Sequence, residues 1–144
     1  MIHAQNAKAV QVILPQSIGT TEVTGTIDTV GWKYATIVFA LDTAAATSVP
    51  TTMSLGEASS DASYVAIATF EGGDTTSGFT LPTPNTSTGD IVKYQVDLRG
   101  RKRFLQVGFA NTAARLASVT ADLSRGDVAP NTDAEAGCSE IVFG

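Results

Sequence analysis

Apolar and polar residues alternate along much of the chain with the two-residue period of a β-strand. The clearest case is Ile91–Leu98, where every second residue from Val92 onward is apolar and those between are polar. Such a strand has one buried face and one face toward solvent. Thr21–Asp28 alternates in the same way. Tyr34–Leu41 is apolar at both parities, which predicts a central strand covered on both sides.

Short runs rich in Val, Ile, Thr and aromatic residues continue through the chain, separated by clusters of Gly, Pro, Asn, Asp and Ser. This spacing is typical of an all-β protein. We therefore predict an antiparallel β-sandwich or a jelly-roll-like barrel of about eight strands. The remaining predicted strands are Ala7–Leu14, Thr51–Leu55, Tyr64–Phe70, Arg103–Ala110 and Arg115–Leu123.

The pattern also predicts where the domain ends. Residues 1–124 form the sandwich, with residues 1–14 as a possible N-terminal arm, and residues 125–144 form an extended C-terminal tail. The tail ends in three large apolar residues, Ile141, Val142 and Phe143, which need a groove or a sheet edge to cover them. Glu71–Asp90 is predicted to be a long loop, part of which docks through Phe79 and Leu81.

Composition limits the classes of function. The 144 residues suit one domain, only 16% of them are charged, and 20 Thr and 11 Ser supply most of the polar surface. The formal net charge of −5 argues against a protein that coats nucleic acid. No apolar run is long enough to cross a membrane, so we expect no membrane partner. The first fourteen residues lack the pattern of a secretory signal, which predicts a cytoplasmic origin.

One basic cluster interrupts this acidic chain. Arg99, Arg101, Lys102 and Arg103 stand close together around Gly100, between two predicted strands. The sequence predicts an exposed hairpin tip, either solvated or in contact with an acidic neighbouring chain. Direct contact with nucleic acid is the less favoured interpretation.

Residues for common catalytic chemistry are scarce. His3 is the only histidine and Cys138 the only cysteine, so neither a nucleophile–histidine pair in the core nor a zinc site is predicted. Nucleotide-binding glycine patterns do not occur. Acidic residues beside turns, such as Glu57, Asp61, Glu71 and Asp74, are interpreted as turn formers. We expect no enzyme activity and no cofactor, although a small glycosidase built on two carboxylates stays open.

Several stretches together resemble the small virion proteins of tailed bacteriophages, especially capsid decoration or cement proteins. In proteins of this type a strand introduced by Asp-Thr-x-Gly is followed by a Leu-x-Glu-Ser-x-Asp turn, an Arg-x-Leu-x-Val strand and an alanine-rich strand. The likeness covers about residues 27–137, with Ala58 at the place of the Ser. The stretches that carry it are Ile27–Ile37, Leu55–Ile67, Arg103–Val107, Ala121–Arg125 and Ala134–Gly137.

The resemblance implies a non-enzymatic virion protein, assembled in the host cytoplasm, that binds the outer surface of a phage head. It also implies the major capsid protein as partner, self-association as a homotrimer, and stabilisation of the head by bridging capsid subunits. The basic cluster and the apolar end of the tail are the candidate contact residues.

A carbohydrate-binding β-sandwich module, on a phage tail or as a head-surface adhesin, is the alternative. Glycan sites usually combine exposed aromatic rings with polar side chains. Trp32, which follows Gly31 at the start of a predicted strand, is the best candidate for such a ring. The favoured interpretation of Trp32 is nevertheless an anchor in the core or in an interface, because large aromatic residues dominate both settings.

Overall fold

The computed structural model of the chain describes residues 6–127 and 132–140. They form two four-stranded antiparallel sheets that pack face to face, which confirms the predicted all-β sandwich. No helix in these two ranges is long and apolar enough to span a membrane. The strands are β1 (Ala7–Ile18), β2 (Val23–Asp28), β3 (Tyr34–Leu41), β4 (Pro50–Ala58), β5 (Val65–Ala66), β6 (Asp90–Asp97), β7 (Phe104–Asn111) and β8 (Arg115–Ser124).

The strand order defines the topology. The first sheet has the order β1-β8-β3-β6 and the second has the order β2-β7-β4-β5. The first strand thus pairs with the last, the second with the seventh, the third with the sixth and the fourth with the fifth. This nested pairing is a hairpin of four strand pairs rolled into a sandwich, which is the jelly roll.

The core lies between the sheets and is built by the inward-facing parity of each strand. Phe39, Leu55, Val107, Phe109 and Val119 have no solvent-exposed surface. The ring of Phe39 packs edge-on against Tyr94 and tilted against Phe109, at centroid distances of 4.9 and 6.2 Å. Burial of these rings is the main source of stability for such a sandwich.

Two strand predictions need correction. β3 is central in its sheet, between β8 and β6, but only its inner face is fully buried; Tyr34, Thr36 and Val38 are half-buried and Ala40 is exposed. Within the part of the chain that the structure describes, no second layer covers the outer face of β3. In Tyr64–Phe70, only Val65–Ala66 is a strand, and a 3-10 turn follows over Ala68–Phe70.

The long loop before β6 docks as predicted. Phe70 and Phe79 pack against the buried ring of Tyr94 at centroid distances of 5.0 and 5.6 Å. Gly72 bonds through its N–H to the carbonyl of Met53 on β4. The loop thus closes the side of the sandwich at which β5 is too short to cover the core.

Described residues near both ends of the chain contact the domain. Residues 7–14, considered above as part of an arm, belong to β1 and pair with β8. The tail contains a short helix, α1 (Asp133–Ala136), that contacts β1. Ile141, Val142 and Phe143 lie outside the described residues.

Candidate interaction site

The basic cluster connects β6 of one sheet to β7 of the other. The predicted hairpin tip is therefore wrong, because these two strands lie in different sheets and do not pair. The connection turns through Gly100, whose φ of 91° lies in the left-handed region that glycine adopts readily. The cluster is exposed, as predicted, at one end of the sandwich.

Carboxylates of the same molecule neutralise much of this cluster. Arg99 lies 2.6 Å from Asp97, and Arg103 lies 2.6 Å from Asp28. Lys102 has no ion pair within the described residues, although its backbone N–H donates to Glu57. Surface pairs of this kind are worth little to stability, but they reduce the positive charge that a partner meets.

The ion pairs change the acidity of their carboxyl groups. Hydrogen bonds from Arg99 lower the pKa of Asp97 to about 2. A hydrogen bond from Arg103 lowers the pKa of Asp28. Both carboxylates therefore stay ionised at neutral pH and keep their arginines bound.

Aromatic rings hold the same end of the sandwich. The guanidinium groups of Arg99 and Arg125 lie 5.2 and 5.5 Å from the ring centre of Tyr34. The guanidinium of Arg103 lies 4.8 Å from the ring of Phe104. Such cation–π contacts fix the planes of the arginines against the surface.

Trp32 lies in the turn before β3 rather than at the start of a strand. Its side chain is half-buried and packs against the hydrophobic core. Gly126 lies against the ring so closely that a Cβ there would be 2.8 Å from Cζ3. Trp32 therefore anchors the chain that follows β8, and only part of its ring faces solvent.

Neighbouring bonds hold that chain in place around Trp32. Asn6 exchanges two hydrogen bonds with the backbone of Gly126, and Asp127 donates its N–H to the carbonyl of Gly31. Lys33 lies 3.5 Å from the Asp127 carboxylate. These bonds hold Gly126 in place against the tryptophan ring.

A second surface, not predicted from the sequence, lies on the outer face of the first sheet. Ala40 of β3 stands between Ile91 of β6 and Ser118 of β8. With Pro15 and Leu116, and with the polar residues Asp42, Thr88 and Asp90, they line a shallow open groove of about 410 Å³. We call this surface the outer groove.

The outer groove exposes large apolar side chains. Ile91 is 73% exposed and Leu116 is 57% exposed. Leu14, which precedes the lining residue Pro15 on β1, is 67% exposed but does not line the groove. The sequence signal was present but ambiguous: Tyr34–Leu41 is apolar at both parities, and only the structure separates the covered face from the open one.

The acidic turn residues hold their own loops. Asp74 accepts hydrogen bonds from the N–H of Thr76 and the hydroxyl of Ser77, and the bond from Ser77 lowers its pKa. Asp61 accepts a hydrogen bond from the hydroxyl of Tyr64. Over residues 6–127 and 132–140, no group of three or more His, Cys, Asp or Glu is arranged to hold a metal ion.

Comparison with known proteins finds no family model that matches the chain and no curated protein with a significant sequence match.

Proposed function

We propose that this chain is a non-enzymatic structural protein of a tailed-phage virion, which binds the outer surface of the head and bridges capsid subunits. The sequence resemblance over residues 27–137 suggests this class. The jelly roll is compatible with it, since viral capsid proteins and lectins both use the fold. Fold alone does not separate these functions, so the proposal depends on the surfaces.

The outer groove is the observation that carries the proposal. Two large apolar side chains that line it, Ile91 and Leu116, are more than half exposed on the outer face of the first sheet. Interface cores are depleted in charged residues, and exposed apolar side chains suit such a contact. The two carboxylates that line the groove, Asp42 and Asp90, would belong to the polar rim of that contact. A head surface that covered this groove would remove that apolar area from water.

The glycan alternative receives less support from the geometry. It needs an exposed aromatic platform, and Trp32 packs against the core and against Gly126. Loss of glycan binding in a folded Trp32→Ala variant would nevertheless favour that alternative.

The first experiment counts copies of the protein in purified virions of its source, by quantitative peptide mass spectrometry against the major capsid protein. A number comparable with the capsid subunit supports the proposal. A handful of copies per particle would move the protein to the tail and favour the adhesin, and absence from virions would refute both virion roles.

The second experiment tests the groove by co-sedimentation with heads that lack the protein. We expect Leu116→Asp to reduce head binding at least tenfold, because it places a charge in the apolar contact. Val30→Asp is the matched control, since Val30 is 60% exposed in the turn after β2, away from the groove. Equal binding by both variants would refute the groove as the contact surface.

A third experiment tests the tail with a deletion variant. Deletion of Ala134–Gly144 is expected to abolish head binding and to leave the circular dichroism of the sandwich unchanged. Undiminished binding would show that the tail contributes nothing to the contact.

A further inference from the structure

β6 is an open edge of the first sheet. It pairs with β3 through eight consecutive residues without a register shift. It contains neither proline nor glycine. Within residues 6–127 and 132–140, residues 91–97 make no backbone hydrogen bond to any element other than β3. Its free side is thus a regular row of unpaired donors and acceptors, which is a template for another strand.

The other long edge of that sheet is protected. β1 has two register shifts, one between Gln11 and Ile13 and one between Ile13 and Gln16, and it contains Pro15. α1 also contacts it. Bulges, proline and a covering element are the devices by which proteins block pairing at an edge. β5, which is an edge strand of the second sheet, has only two residues.

We propose that two copies of this chain associate by pairing β6 with β6 antiparallel across a two-fold axis, with Gln95 opposite Gln95 of the second copy. The two four-stranded sheets then become one continuous sheet of eight strands. The pairing needs only the chain itself, so it does not depend on the proposed role in a virion.

Symmetry restricts the register. Directly opposite residues of an antiparallel pair point to the same face, and a two-fold axis through the sheet places outer face beside outer face. The outward residues of β6 are Ile91, Lys93, Gln95 and Asp97. Each of them must therefore stand opposite an outward residue of the second copy.

Charge complementarity selects among the allowed registers. Each register is named by the residue that stands opposite its own copy. In the Lys93 register two lysines meet, and in the Val96 register Lys93 meets Arg99 of the second copy, so both place like charges together. In the Tyr94 register Ile91 meets the carboxylate of Asp97. The Gln95 register sets each Lys93 opposite Asp97 of the second copy, which gives two ion pairs between the copies. Each of these carboxylates also pairs with Arg99 of its own chain, so Lys93 and Arg99 share it. Opposite charges stabilise cross-strand pairs and like charges destabilise them.

Thiol cross-linking tests the register. In a Cys138→Ser background, Gln95→Cys is expected to form a disulfide-linked dimer on mild oxidation, because the two Cα atoms then lie within about 4.5–5.5 Å. Lys93→Cys is the matched control, an exposed residue of the same face whose opposite residue carries no thiol. Stronger cross-linking through position 93 than through position 95 would refute the proposed register.

A charge swap tests the association itself by sedimentation equilibrium. We expect wild type to dimerise and Lys93→Glu to raise the dimer dissociation constant about tenfold, since it opposes two pairs of carboxylates. The double variant Lys93→Glu/Asp97→Lys is expected to restore dimerisation. Lys102→Glu, the same charge change outside the edge, is the control. A wild-type monomer at all concentrations, or a trimer, would overturn the proposal.

Discussion

The buried guanidinium of Arg115 allows a sharp prediction about stability. Its Nη2 lies 2.6 Å from a carboxylate oxygen of Asp90, and its Nε donates to the carbonyl of Asp42 at 2.7 Å. Only 1% of the Arg115 side chain is exposed. Asp90 also accepts the N–H of Asn85. One arginine thus ties the loop that begins at Asp42 and the loop that ends at Asp90 to the start of β8.

The perturbation is Arg115→Met, which keeps an unbranched apolar side chain in place of the aliphatic part of arginine and removes the guanidinium group with its charge. Removing one partner of a buried ion pair costs about 3–5 kcal/mol, because the remaining charge stays buried without compensation. Two features place this case at the lower end: Asp90 keeps its bond from Asn85, and the Nη1 of Arg115 already has no partner within the described residues. We expect a loss of about 3 kcal/mol, or about 10 °C in Tm for a chain of this size.

The assay is urea unfolding followed by the fluorescence of Trp32, the only tryptophan, with calorimetry for Tm. Arg103→Met is the matched control. Its ion pair has the same 2.6 Å distance, but the Arg103 and Asp28 side chains are 51% and 41% exposed. That substitution is expected to cost less than about 1 kcal/mol. Equal losses in the two variants would refute the reasoning, because burial would then have no effect on the value of the pair.

Three further predictions concern strand packing, the core and pH. Gly25→Ala is expected to lower the free energy of unfolding in urea by about 1–3 kcal/mol, because its Cβ would overlap a carbonyl oxygen of β1. Gly19→Ala, whose Cβ would have no atom nearer than 3.9 Å, is expected to lower it much less. Similar losses in the two variants would contradict this prediction. Tyr94→Phe is expected to leave the unfolding free energy unchanged or to raise it by up to about 1 kcal/mol, since the buried hydroxyl has no partner within the described residues, and a clear loss would reveal one. The carboxyl of Asp97 is expected to titrate near pH 2 by NMR, and its pKa is expected to move toward the usual 3.8 in Arg99→Gln. Because the pKa is lowered in the folded state, the contribution of Asp97 to stability is present above about pH 4 and is lost as the pH falls toward 2. An unchanged titration midpoint in the variant would exclude the arginine as the cause.

Local pattern was enough to predict most of the strands. Alternation in Ile91–Leu98 and Thr21–Asp28 records one buried and one solvent-facing side, and that division is a property of the strand itself. Tyr64–Phe70 is likewise rich in aromatic and β-branched residues, yet only Val65–Ala66 is a β-strand. There the apolar side chains are used differently: Ile67 is buried and Phe70 packs against Tyr94 from a 3-10 turn. A period-two pattern does not distinguish these two ways of burying the same residues.

Strand order was beyond local pattern, and the candidate surfaces depend on it. Arg103 is adjacent to Asp28 only because β2 pairs with β7, which places Asp28 opposite Phe104, 76 positions later in the chain. The outer groove likewise requires β1, β8, β3 and β6 to be neighbours. The sequence could therefore identify the basic cluster but not the carboxylates that neutralise part of it.

This neutralisation changes which part of the molecule is best suited to a partner. As a sequence run, Arg99–Arg103 is the most highly charged segment and invites an acidic ligand. In the folded chain, Asp97, Asp28 and Glu57 meet three of its four cations. A partner would have to displace these carboxylates, at a cost close to what it gains. The apolar side chains of the outer groove and the backbone groups on the free side of β6 have no such competitor within the described residues, although Asp97 at that edge already pairs with Arg99. They are therefore the surfaces on which binding gains the most.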